Sequence, residues 1–345
     1  TSDAMLDSGN PSSRATAATS SGADRSSSCH DARAGPLWPS PAPASLAAMG
    51  FRSSILSLTL LAASPAAAAT WTVSAGGGSD FSTISAALSA ASDGDTIEVS
   101  AGTYTEDLDF GGRAVEVIAT AGAAATTIVG TGIGSVVTFD GGEGPGAVLD
   151  GFTVRGGDAS GGLRGGGLHV SGSSPTLRHL VVRENSAHVG GGAHFVGSDS
   201  ALLDVVFIDN VANLTAEAQW GYGGGLYAID SVLTLESVVA QGNTAARGGG
   251  LMLRDTIAAI ADLTATVNTA ERGAGVAVEA GDVTLTGAVI SDNLASVNGG
   301  GLWIFGGAAG IWSGLLVAGN EAPDGAGGRV TDSSPSLLYS SFVAN

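Results

Sequence analysis

The chain has 345 residues, 55 of them glycine; 44% are hydrophobic, only 13% are charged, and the formal net charge is −19. That apolar content excludes an acidic disordered chain. A surface this negative, with arginine as its sole basic residue type, argues against nucleic acid and anionic membranes as partners.

Residues 1–48 are rich in Ser, Ala and Pro and show no periodicity. They read as unstructured upstream sequence translated ahead of a true start at Met49. Residues 49–69 read as a secretory signal peptide. Arg52 gives the positive charge, Ile55 to Ala63 the apolar run, and Ala67, Ala68 and Ala69 the small-residue cleavage site. The apolar run is too short to span a membrane. Cys29, the only cysteine, lies upstream of this segment, so the remaining chain has no disulfide framework. Residues 70–345 carry 9 Arg against 28 Asp and Glu. This part is expected to be one secreted or cell-surface domain, monomeric, without a membrane span.

Trp71 to Ser74 reads as a short strand. Asp80 to Ser92 reads as a short helix capped by Asp80, with Phe81, Ile84, Leu88 and Ala91 on one face. Asp93 to Glu106 follows, with a strand and then Gly102-Thr103-Tyr104-Thr105-Glu106. Less regular strands fall at 115–119, 127–129, 136–139 and 149–154.

From about residue 165 the chain repeats. Asparagines stand at 185, 210, 243, 268, 293, 320 and 345, and four of the six gaps are 25 residues. Wherever the chain continues, the residue two after each Asn is Ala: 187, 212, 245, 270, 295 and 322. The residue three before each Asn is apolar: Val182, Phe207, Ala240, Ala265, Ile290, Val317 and Phe342. Glycine runs such as Gly190-Gly191-Gly192 and Gly223-Gly224-Gly225 follow each Ala. Within a unit the apolar residues alternate, as Leu226, Ala228, Leu233 and Leu235 do, which is the period of strands. Three short strands and three turns fit 25 residues, so each unit closes one coil and stacking creates the core. Equivalent residues then form columns. The Asn column makes an internal amide ladder, the Ala column leaves room for a methyl group, and the Gly column permits unusual dihedrals. The early helix caps the stack. The last unit ends at Asn345, where Ala and glycines are due, so the chain is expected to continue in a longer protein.

This pattern resembles the right-handed parallel β-helix repeat proteins of the pectin-lyase-like class. Glycine triplets combined with Phe207-x-x-Asn210 and Phe342-x-x-Asn345 are similar to repeats of bacterial polymorphic outer-membrane proteins. The resemblance implies an all-β, right-handed parallel β-helix over 70–345 with a capping helix. It leaves activity open, because these motifs are the coil itself. The Gly102-Thr-Tyr-Thr-Glu106 stretch matches one pectin methylesterase pattern, but the other esterase blocks, the polygalacturonase blocks and the calcium nonapeptide have no counterpart here.

Two sites follow from the register. Asp230 and Asp255 lie five residues after successive glycine triplets, with Arg254 and Glu279 beside them. Such a group suits a lyase, in which carboxylates hold Ca²⁺ against an acidic sugar and Arg254 removes a proton. Ca²⁺ enters only under this alternative; otherwise no cofactor is expected. The second site is the column two after the triplet, which should face outward: His169, His194, Tyr227, Met252, Ala277 and Trp303. About eight extra residues lie beside Tyr227, including Trp220 and Tyr222. An exposed aromatic stripe suits stacking against sugar rings. The first reading of function is therefore an adhesin-like, glycan-binding surface protein. The alternative is a polysaccharide lyase or hydrolase acting on an acidic polysaccharide.

Overall fold

A computed structural model of the chain describes residues 67–213 and 221–345. The upstream segment 1–48, nearly all of the leader 49–69, and Trp220 lie outside the described residues. Among the described residues no helix is long and apolar enough to cross a membrane.

The stacked columns expected from the repeat are present. The fold is a parallel β-solenoid of about 11 coils. In one coil, Leu226–Ile229 lies in a nine-stranded sheet, while Val232–Glu236 and Val239–Gln241 lie in a longer sheet. Each pairs in parallel and in register with the next coil: Leu226 with Leu251, Leu233 with Ala258, Ala240 with Ala265. Leu226, Ala228, Leu233 and Leu235 all point into one continuous core.

Single residues in the left-handed conformation make the corners. In this coil they are Gly223 (φ 63°), Asp230 (φ 50°), Ser237 (φ 55°) and Gly242 (φ 67°); in the next, Gly248, Asp255, Asp262 and Val267 take the same places. Glycine adopts this region freely and Asp tolerates it, which explains the occupants. Ser237 and Val267 are the exceptions, the latter a β-branched residue at φ 58°. The third glycine of each triplet is required for a second reason. A Cβ at Gly225 would stand 2.6 Å from the Gly250 carbonyl oxygen of the next coil.

The asparagine ladder is complete from Asn185 to Asn345. Asn243 donates one Nδ2 hydrogen to Asn268 Oδ1 (3.0 Å) and the other to the Phe207 carbonyl (3.0 Å). Its own Oδ1 accepts from the Asn210 backbone N–H and from Asn210 Nδ2, both at 3.0 Å. Every polar valence of a fully buried amide is thus used, which offsets the cost of burying it. The apolar column is buried as well, from Val182 to Val317.

The capping helix is present but shorter than expected. It spans Ile84–Ala90 with Thr83 as its N-cap, and buries Ile84, Ala87 and Leu88. Asp80 does not cap it, because its carboxylate is taken by the Thr72 backbone N–H (2.9 Å) and hydroxyl (2.7 Å). Phe81 is held in a short bridge to Val73, so the helix begins later. Glu106 supplies the missing acceptor, taking the Ile84 and Ser85 N–H groups at 2.9 Å each. Tyr104 is buried and donates to the Ser100 carbonyl. The Gly102-to-Glu106 motif therefore joins the first coil to its cap, and both of its conspicuous side chains are used in doing so. Buried Glu143 plays a similar part deeper in the stack. It accepts from Gly112 N–H (2.7 Å), Gly141 N–H (3.0 Å) and the Ser173 hydroxyl (2.7 Å).

Candidate functional site

Three outward columns run side by side on the nine-stranded sheet, and together they gather most of the residues singled out from the sequence. The central column is His169, His194, Tyr227, Met252, Ala277, Trp303 and Arg329, paired in register from coil to coil. On one side, two residues further along each strand, stand Ile229, Arg254, Glu279 and Phe305. On the other, at the residue before each glycine corner, stand Val189, Tyr222, Arg247, Arg272, Asn298 and Asp324.

The central column faces away from the core, as alternation requires, but it is not an open stripe. His194, Tyr227 and Trp303 are 0%, 5% and 8% exposed. Tyr227 and Trp303 belong to a second apolar cluster with Val189, Tyr222, Met252 and Ala277, against which Ile229 and Phe305 pack. The expectation of an exposed sugar-stacking stripe is therefore corrected. The flanking columns fold toward the centre, and aromatic rings pack on each other: His169 with His194 at 5.4 Å, His194 with Tyr227 at 5.5 Å, Tyr222 with Tyr227 at 5.6 Å, and Trp303 with Phe305 at 3.7 Å. Tyr222, expected in the insertion, is a wall residue bridging Val189 and Arg247.

The acidic group is also arranged differently from a lyase cleft. Asp230 and Asp255 are exposed corner residues. Arg254 Nε lies 3.5 Å from Asp255 Oδ2 and 3.6 Å from Glu279 Oε2. Glu279 and Asp255 therefore face a fixed cation, and among the described residues no three His, Cys, Asp or Glu side chains assemble a metal-holding set. Burial is the largest influence on Arg254 and lowers its pKa. Glu279, the Tyr227 hydroxyl and Asp255 outweigh it and hold the guanidinium above its ordinary value. A group held so firmly in its charged form is a poor proton acceptor. Burial likewise raises the pKa of Tyr227, partly opposed by the charge of Arg254 and a hydrogen bond from it.

What this face offers is positive charge on aromatic rings. The Arg247 guanidinium lies 5.4 Å from the Tyr222 ring and 5.5 Å from the Trp303 ring, and Arg272 lies 5.9 Å from Trp303. Ala277, between Met252 and Trp303, is the smallest residue of its column. Sequence reading passed over Arg247 and Arg272. The signal was their shared position immediately before the glycine corner.

A second polar group lies on the longer sheet. Arg178 Nε donates to Asp150 (2.7 Å), and a second guanidinium nitrogen donates to Glu116; His179 Nδ1 meets Asp150 at 2.7 Å. The hydrogen bond to Asp150 is the main reason that the pKa of Arg178 is raised. These contacts tie neighbouring coils together. His179 and the adjacent Asp204 are largely exposed.

No family model and no curated protein matches the sequence. Solved structures with similar folds include a Geobacillus virus E2 ORF18 protein (12% identity, TM-score 0.41, covering 72% of this chain and 54% of that one). Others are a pectin methylesterase in complex with a hexasaccharide (10%, 0.37, 74% and 80%) and an endo-xylogalacturonan hydrolase from Aspergillus tubingensis (12%, 0.37, 80% and 92%). The chain spans about half the length of the viral protein. At these identities and scores the likeness carries nothing about activity.

Proposed function

We propose that this chain is an extracellular, non-catalytic β-solenoid that binds glycan on the outer face of its nine-stranded sheet. The observation that carries the reading is the setting of Arg254. Arg254, the residue singled out as a lyase base, is held cationic between Glu279, Asp255 and Tyr227. The face is thus equipped to attract and orient a ligand rather than to take a proton from it. Guanidiniums lying on aromatic rings along a rigid sheet support the same reading, since sugars are bound by ring contact together with directed polar groups. The leader-like segment 49–69 supports an extracellular location.

The test is incubation of the purified chain with acidic and neutral polysaccharides, with and without Ca²⁺, following co-sedimentation and new chain ends together. Retention without cleavage is expected. Cleavage abolished by Arg254→Ala would overturn the non-catalytic reading in favour of a lyase. Absence of both retention and cleavage would remove glycan binding altogether.

A further inference from the structure

We propose that the chain is processed between Ala68 and Ala69, and that the α-ammonium group so freed forms an ion pair with Asp95. The inference rests on the extracellular part of the reading above. It assigns a processing site, one residue before the boundary expected from the sequence, and gives the new terminus a task in the fold.

A leader peptidase needs small residues one and three positions before the cut. Cuts after Ala66, Ala68 or Ala69 all meet that rule, so the alanine run alone does not choose between them. The structure does. Ala67 and Ala68 are exposed, and among the described residues hydrogen bonding into the solenoid begins at Ala69. Its N–H donates to Asp95 Oδ1 at 2.7 Å, and its carbonyl accepts from the Thr96 N–H at 2.9 Å. Thr70 then pairs in register with Thr96.

Asp95 is only 6% exposed. Its carboxylate also accepts from the Trp71 indole N–H (3.1 Å) and the Ser92 N–H (2.9 Å). It thus joins the first strand to the end of the capping helix. Among the described residues no arginine or histidine comes within ion-pair distance of it. The anion is buried on neutral donors alone, a setting in which a cation at one donor position strengthens the bond. A cut after Ala69 would remove both of that residue's hydrogen bonds. A cut after Ala66 would leave the new charge on exposed Ala67, in water. Only the cut after Ala68 keeps both bonds and turns the neutral donor into a cation. Water adds across the Ala68–Ala69 peptide bond: Ala68 leaves with the leader as a carboxylate, and the Ala69 nitrogen takes up a proton. The charge arises only on removal of the leader, so the first strand is fastened by an ion pair in the exported chain and not in its precursor.

The chain contains no lysine, so the processed protein has a single primary amine, its own α-amino group. The test is expression in a secreting bacterial host, in full and from Met49, followed by N-terminal sequencing and amine-ester labelling of the exported protein. Ala69 is expected as the first residue. Folded, its amine should react at neutral pH at least about tenfold more slowly than in the same protein unfolded in guanidinium chloride, the loss of neutral form that a displacement of about one pH unit produces. The pH profile of labelling should move upward by that amount. Burial alone would move it downward, because it disfavours a charged amine. Asp95→Asn should abolish the upward displacement, and the unfolded reference holds even where that variant weakens the fold. Any other first residue would overturn the processing site. Ala69 in first place with an unmoved or lowered profile would overturn the ion pair and leave the extracellular reading standing. Retention of the uncut chain inside the cell in both forms would overturn this inference and the extracellular reading together.

Discussion

Replacing Asn268 by alanine tests whether the amide ladder holds the solenoid together. Asn268 gives Nδ2 hydrogens to the Ala240 carbonyl and to Asn293 Oδ1, each at 2.9 Å. Its Oδ1 accepts from the Asn243 backbone N–H and Nδ2, each at 3.0 Å. Asn293 Oδ1 keeps a second donor, the Asn268 backbone N–H. The substitution therefore leaves two donors on Asn243 without acceptors at a site that is 0% exposed. Each such group costs about 1–3 kcal/mol, giving about 2–6 kcal/mol in all. Asn345→Ala is the internal control. It removes the acceptor of Asn320 at an exposed residue, where water can replace it, and should cost no more than about 1 kcal/mol. Guanidinium titrations followed by circular dichroism give both values, and amide hydrogen exchange at Asn243 should accelerate in Asn268→Ala alone. A cost for Asn268→Ala below about 1 kcal/mol, or one equal to that of Asn345→Ala, would refute the ladder as a support.

Val267→Gly should stabilise the chain by about 1 kcal/mol, because Val267 is exposed and held at φ 58° at a corner where the preceding coil has Gly242; a lowered melting temperature would contradict this. Gly225→Ala should destabilise by about 2 kcal/mol or more through the clash with the Gly250 carbonyl, whereas Gly144→Ala should cost less, since a Cβ there meets no atom within 4 Å. Equal melting temperatures for the two variants would refute the difference. The pKa of Glu143 is lowered: burial, the largest influence, raises it, but the hydrogen bonds from Ser173 and the Gly112, Glu143 and Gly141 N–H groups together prevail. Its contribution to stability is thus fully present above the unfolded-state value near 4.5 and is lost as pH falls through the folded value. Thermal melts from neutral to acid pH should show that decline, and Glu143→Gln should reduce it. Spectrophotometric titration should show a tyrosine component raised above the ordinary value that Tyr227→Phe removes.

The core of this molecule could be read from its sequence because stacking imposes one environment on every coil. Asn at one position and Ala two residues later recur since only those side chains fit the ladder and the narrow wall beside it. Alternation also placed Tyr227 and Trp303 correctly on the side away from the core. It could not say what else lies on that side. Tyr222, Arg247 and Arg272 belong to a different part of each coil, and it is their approach to the central column that closes it. Asp80 had the sequence of a helix cap, yet Thr72 competes for its carboxylate across the chain. Asp230 and Asp255 read as acids in need of a cation; their backbone conformation gives them a simpler reason to be there. Arg254 and Glu279 stand in one register column, and that proximity neutralised the site it was expected to build.

The ladder also bears on how such a chain folds. Each asparagine is completed by a partner 25 to 33 residues later, whatever the length of the stack. Closing a new coil therefore requires a loop of constant size, and its entropic penalty does not rise as coils accumulate. Folding can spread from one nucleus by repeated short steps. The process has a direction, because the side-chain acceptor for each amide lies in the coil synthesised after it, while its other hydrogen goes to a carbonyl of the coil before. During synthesis the most recently formed coil is always unfinished, and it is secured only when the next one arrives.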